Sequence, residues 1–139
     1  MITLGVADLT KATQFYKAVL AVTPNTSYDG VTFFELQGTW ISLYPVQSLA
    51  ADISADLPVA RNGFCGFTLA HNAKNRADVL AIVKRAEQAG ARVAKEPQDT
   101  FWGGFSGYFE DPDGYVWEIA WGPMFEFSES GEMTFKTGD

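Results

Sequence analysis

One carboxylate set in the middle of an apolar strand is the residue best suited to chemistry in this chain. Glu118 stands between Trp117 and Ile119, in an alternating run over residues 115–121. A carboxylate there is costly to bury unless it meets a polar cavity, a partner or water, so Glu118 is expected to point into a pocket. Just before it, Asp111-Pro112-Asp113-Gly114 places an acid at the start of a turn, a proline that fixes φ, and a glycine free to turn left-handed. That order describes a hairpin loop closed by a bulge. With Gly114 in the bulge, the strand over 105–110 returns antiparallel, Tyr108 falls opposite Glu118, and Ser106 faces the same side. A phenol beside a carboxylate is an acid/base pair, and the carboxylate alone can anchor a cationic ligand group.

The elements that must hold this pair occur twice along the chain. Residues 2–6 alternate like a strand, and Asp8 can cap a helix whose Leu9, Ala12, Tyr16, Val19 and Leu20 share one face. Residues 23–28 and 31–36 flank Asp29-Gly30, a two-residue hairpin signal, and a further strand is expected over 39–44. After a connector over 47–62, with a short helical turn near 49–53, the order restarts. Residues 64–70 alternate, Asn75 can cap a helix with an apolar stripe of Val79, Ile82, Val83 and Ala86, and Gly90 ends it. Strands then follow over 91–96, 105–110 and 115–121. The fold class expected is therefore α+β, with two tandem βαβββ modules, about 1–46 and 63–122, in a single domain over 1–122. A tail over 123–139 alternates Phe125, Phe127, Met133 and Phe135, compatible with draping over the fold or a partner chain.

Each copy, at roughly 60 residues, is too small to bury its own sheet face, so the two should pair into a curled eight-stranded cup with helices outside. Strand parity sends Leu4, Val6, Phe67 and Leu69 toward the helices, together with Trp117, Ile119 and Trp121. Thr3, Gly5, Phe64, Gly66 and Thr68 face the opposite way, with Val116, Glu118 and Ala120. By pseudo-symmetry Trp40, Ser42 and Tyr44 line the concavity as well. Trp40, Tyr44, Phe64 and Trp102 offer a stacking surface for a flat or apolar ligand, although each could equally be core. Phe101-Trp102-Gly103-Gly104 reads either as a mobile lid or as a rigid wide turn. By the same parity Cys65 belongs to the core.

Composition removes several classes of function. A net charge of −7 with scattered Lys and Arg repels phosphate backbones, so nucleic acid is not a partner. No apolar run approaches the roughly 20 residues that span a bilayer, so no membrane partner is expected. One cysteine in the whole chain excludes an internal disulfide framework, and the first residues lack signal-peptide character. A cytoplasmic protein with a small-molecule partner is expected.

The chain resembles the vicinal-oxygen-chelate superfamily, the group of glyoxalases, bleomycin-resistance proteins and extradiol dioxygenases. The resemblance covers residues 1–122 and rests on Leu4-Gly5-Val6-Ala7-Asp8-Leu9 followed by Phe15-Tyr16, the duplicated βαβββ order, and Asp111-Pro112-Asp113-Gly114-Tyr115-Val116-Trp117-Glu118. It implies a cup, commonly in a homodimer, and in the enzymes a divalent metal held by His and Glu. The positions that correspond to the ligands read Met1, Ser42, Phe64 and Glu118, of which Glu118 alone is a usual metal ligand, whereas a stable site wants about three or four N/O ligands. The sole histidine, His71, falls beyond the expected strand end. No metal ligand set and no cofactor is expected. Ser106-Gly107-Tyr108 is similar to a Ser-x-Tyr found in some fosfomycin-modifying relatives. The leading expectation is a metal-independent binding protein for an apolar or aromatic ligand. The alternative is a lyase, isomerase or dioxygenase-like enzyme using Glu118 with Tyr108, or a recruited divalent metal.

Overall fold

The computed structural model describes residues 1–59 and 62–137. The chain divides into two compact units, Met1–Phe67 and Thr68–Asp139.

In the first unit, β1 (Ile2–Val6) leads through Asp8 into α1 (Leu9–Leu20), and the Asp8 carboxylate accepts the Lys11 N–H at 2.9 Å as the sequence predicts. Strands β2 (Thr32–Phe34) and β3 (Ile41–Pro45) complete a sheet in the order β1-β3-β2, with β1 parallel to β3. Leu4, Val6, Phe34, Ile41 and Leu43 are buried with Phe15, Tyr16 and Val19 of α1. The Thr13 and Thr32 hydroxyls, 2.9 Å apart, tie helix to sheet.

Three expectations change in this unit. The strand over 23–28 is reduced to one bridge, Asn25 with Phe33. Pro24 brings no N–H to a ladder, and a pairing of 25 with 33 centres the loop on Asp29 and so replaces the two-residue turn by a longer one. The strand over 39–44 starts at Ile41. The short helical turn expected near 49–53 lies wholly within a longer helix, α2 (Val46–Ile53), which starts directly after Pro45. Val46 and Leu49 of α2 lie so close to Gly5 that an added Cβ would stand 2.9 Å from Val46 Cγ2. Thus α2 covers part of the face assigned to an open concavity.

The second unit holds β4 (Leu69–Asn72), α3 (Arg76–Gln88), β5 (Arg92–Asp99), β6 (Phe105–Glu110) and β7 (Val116–Trp121), in the sheet order β4-β7-β6-β5. First strand beside last strand is the same order as in the first unit. Asn75 caps α3 by accepting the Asp78 N–H at 2.8 Å. Val79, Val83 and Ala86 are buried with Phe109, Trp117 and Ile119, while Ile82 stays half-buried. Arg76 lies over the rings of Phe105 and Trp121, at 5.1 and 5.4 Å from their centres, and pairs with Asp99.

The strand expected over 64–70 begins five residues late. Gly63 and Gly66 both have positive φ, +77° and +89°, which extended backbone does not allow. Consequently Phe64 and Phe67 are exposed, and Cys65 is exposed too rather than in the core. The tail folds as its own hairpin, β8 (Phe125–Phe127) with β9 (Met133–Phe135), with the Phe125 and Phe135 rings 5.2 Å apart. The described strands form sheets of three, four and two strands, none of them closed. Among the described residues no helix is long and apolar enough to cross a membrane.

Candidate functional site

The hairpin from β6 to β7 fixes the geometry of Glu118. Asp111 is buried, and its Oδ1 accepts the N–H groups of Asp113 at 2.9 Å and Tyr115 at 2.8 Å. Its backbone N–H donates to the Tyr115 carbonyl at 2.9 Å, and Gly114, at φ +85°, donates to the Asp111 carbonyl at 3.0 Å. This closed turn sets one register for the whole hairpin, and in it Tyr108 pairs with Glu118 and Ser106 with Ala120.

Across that pair the Tyr108 hydroxyl donates to Glu118 Oε1 at 2.9 Å. Burial first, then the hydrogen bond to Glu118 and the charge on Glu118, push the Tyr108 pKa above its ordinary value. Ionising the phenol would destroy the bond and place two negative charges side by side. Tyr108 is therefore a neutral hydrogen-bond donor in the physiological range.

Around this pair the same face of the sheet carries small residues. Ala70 of β4 stands beside Glu118 in the parallel ladder, and Ala120 and the buried Ser106 lie one step along. Just beyond the ladder's last pair, Phe105 with Trp121, Gly104 and Gly122 carry no side chain, and Trp102 folds over both. A Cβ on Gly104 would overlap the indole, and one on Gly122 would lie 3.0 Å from Trp102 Cζ3. The loop bearing Trp102 is tied at both ends, since Thr100 N–H donates to the Gly104 carbonyl at 3.0 Å and Gly104 N–H to Thr100 Oγ1 at 3.0 Å. That favours the rigid turn over the lid. Lys95 of β5 pairs with Tyr108 beyond a bulge, bringing a cation to the outer edge of the face.

Of the residues singled out in the sequence, Glu118, Tyr108, Ser106 and Trp102 share this face. The others lie in the first unit. Ser42 is buried and its hydroxyl is 2.7 Å from that of Thr3. Tyr44 pairs with Gly5 beside α2. Trp40 and Phe64 lie outside strands, 45% and 67% exposed. Ala70 and Lys95 were missed by sequence reasoning. The β4 register that selects Ala70 is non-local, and the β5 bulge between Val93 and Lys95 shifts parity without a local signal.

The donor set does not fit the His/Glu metal centre of the family's enzymes. Met1 and Phe64 offer no nitrogen or oxygen side-chain ligand, and the Ser42 hydroxyl is engaged with Thr3. Among the described residues no three His, Cys, Asp or Glu side chains are grouped to hold an ion. His71 lies inside β4 rather than beyond it, paired with Ile119 and so on the face opposite Glu118.

The chain belongs to the glyoxalase/bleomycin resistance protein/dioxygenase superfamily, whose family model matches residues 1–119. It is 29% identical over 127 residues to the metallothiol transferase FosB of Shouchella clausii, covering 89% of this chain and 80% of that protein. Among solved structures it is similar to a glyoxalase-related enzyme from Fulvimarina pelagi, with 31% identity, a TM-score of 0.87, and 98% and 96% of the two chains covered. A lactoylglutathione lyase from Agrobacterium tumefaciens, at 23% identity and a TM-score of 0.65, covers 92% of this chain and 97% of its own, and shares the fold.

Proposed function

We propose that this chain is a metal-independent small-molecule binding protein of the superfamily, taking an aromatic or apolar ligand that carries a cationic or hydrogen-bond-donating group. The observation that carries the reading is the Tyr108–Glu118 hydrogen bond, set on a face whose neighbours are Ala70, Ala120 and Ser106, with Trp102 at one end. Small neighbours leave room beside the carboxylate, the indole offers a flat apolar wall, and Tyr108 fixes the carboxylate's orientation. The cup-shaped pairing of the two modules, with Trp40, Tyr44 and Phe64 facing the ligand, belongs to this proposal, as do a homodimer and a cytoplasmic location.

A second reading uses the same pair for catalysis. Glu118 would accept a proton from a carbon acid, and its neutralisation would release the single Tyr108 O–H from the carboxylate to donate to the oxygen on which charge develops. A lyase or isomerase fits that division of labour.

The experiment is a tryptophan-fluorescence screen of arylalkyl amines, which are ammonium ions at neutral pH, against the matched neutral arylalkyl alcohols. The binding reading expects saturable quenching that favours the amine, with the preference lost in Glu118→Gln. Equal response to both series in the wild-type chain and in Glu118→Gln would count against it.

A further inference from the structure

A cavity of about 380 Å³ lies on the other side of the second unit's sheet, lined by His71 and Asn72 of β4, Ile82 and Arg85 of α3, Lys74 just before that helix, and Phe127 of β8. His71 pairs with the buried Ile119 and so stands on the side of the ladder opposite Glu118, while Asn72, paired with Ala120, is the last residue of β4. On α3 the residues that reach the cavity, Asp78, Ala81, Ile82 and Arg85, follow one helical stripe, distinct from the core stripe of Val79, Val83 and Ala86. Gly131, in the turn of the tail hairpin, also lines it.

The charge of the cavity runs against that of the chain. The whole protein carries −7, whereas two cations, Lys74 and Arg85, line this recess with one acid, Asp78. The Asp78 Oδ2 already accepts from Asn75 Nδ2 at 3.0 Å within the helix cap. Burial and then the Arg85 charge lower the His71 pKa, with Asp78 acting weakly in the opposite sense. His71 is thus a neutral imidazole beside two cations, free to donate one hydrogen bond without adding charge. Ala81, Ile82 and Phe127 supply an apolar wall. Cations and a hydrogen-bond donor at one side, with an aromatic ring and aliphatic carbons at the other, recognise an amphipathic anion.

We propose that this cavity is a second small-molecule site, for an organic anion whose carboxylate or phosphate sits between Lys74 and Arg85, accepts from His71, and rests its apolar body on Phe127 and Ile82. The site is independent of the Glu118 face and of the function assigned to it.

His71 is the sole histidine of the chain, so its imidazole resonances are a single, assigned reporter by proton NMR. The probes are benzoate, phenyl phosphate, inorganic phosphate and chloride, added to the full chain at matched ionic strength. Saturable shifts with benzoate or phenyl phosphate, accompanied by a rise of about one unit in the His71 midpoint, are expected. Which of the two binds more tightly distinguishes a carboxylate from a phosphate monoester. Lys74→Gln, at an exposed position outside the helix, and Arg85→Gln should each weaken the response about tenfold. Shifts that fail to saturate, that chloride reproduces, that inorganic phosphate matches in affinity, or that survive Lys74→Gln but vanish in Glu118→Gln would overturn the proposal.

Discussion

Tyr108 and Glu118 stand directly opposite each other on neighbouring antiparallel strands, and the phenol donates to the carboxylate at 2.9 Å. The bond orients Glu118 and keeps Tyr108 protonated, so the two side chains act as one polar unit on a face otherwise made of small residues.

Replacing Tyr108 by Phe should cost about 1 kcal/mol, since a half-exposed hydrogen bond to a charged acceptor contributes modestly. The pH dependence has a definite sign. The folded pKa of Tyr108 lies above its ordinary value of 10.0, so the native chain holds the proton more tightly. The contribution is complete below pH 10.0 and is lost as pH rises through the folded value. Ultraviolet titration of the phenols in the wild-type chain should show one late tyrosine that is missing in Tyr108→Phe.

The turn that sets this register rests on Asp111. Its buried carboxylate holds two backbone N–H groups, and Asp111→Ala leaves both donors without that acceptor, at a cost of about 3 kcal/mol. Asp111→Asn keeps an acceptor oxygen and should recover most of the loss. Urea denaturation measures both, and a near-neutral Asp111→Ala would show that the turn is held by its backbone alone.

How much of this was legible follows from where the information lies. Asp111, Pro112 and Gly114 encode the hairpin locally, so the opposition of Tyr108 and Glu118 is legible in the sequence itself. Asp8 and Asn75 likewise announced their helices. The alternation over 64–70 reads as a strand, yet the positive φ values of Gly63 and Gly66 break an extended segment. With that strand went the placements of Phe64, Phe67 and Cys65. Helix α2 did carry a signal, Val46, Leu49, Ala50 and Ile53 at helical spacing, hidden among Gln, Ser and Asp. The neighbours of Glu118 across β4, and the cavity shared by α3 and the tail hairpin, depend on contacts far apart in the chain and left no local trace.

Trp102 should respond to the glycines beneath it. Gly104→Ala places a methyl group in the space of the indole, so the ring must leave its seat. A loss of about 1–3 kcal/mol and a red shift in tryptophan emission are expected. Ligand quenching should weaken in the same variant. An unchanged spectrum would mean that Trp102 does not rest on this face in solution.

His71 offers a separate check on the electrostatics of the second unit. Its folded pKa lies below 6.5, so the unfolded chain binds the proton more readily. The stability it contributes is present above pH 6.5 and is lost as pH falls from there through the folded value. Arg85→Gln should raise the NMR midpoint of His71 and Asp78→Asn should lower it. Opposite movements would contradict the assignment of causes.

Metal independence at Glu118 is tested most directly by elemental mass spectrometry of the purified, untagged protein, before and after dialysis against Ni, Co, Zn, Fe(II) and Mn salts, with chelator controls. The account predicts no near-stoichiometric metal retained by the wild-type chain and no difference from Glu118→Gln. Near-stoichiometric metal that disappears in Glu118→Gln would contradict it, and would place a recruited ion at the centre of this site.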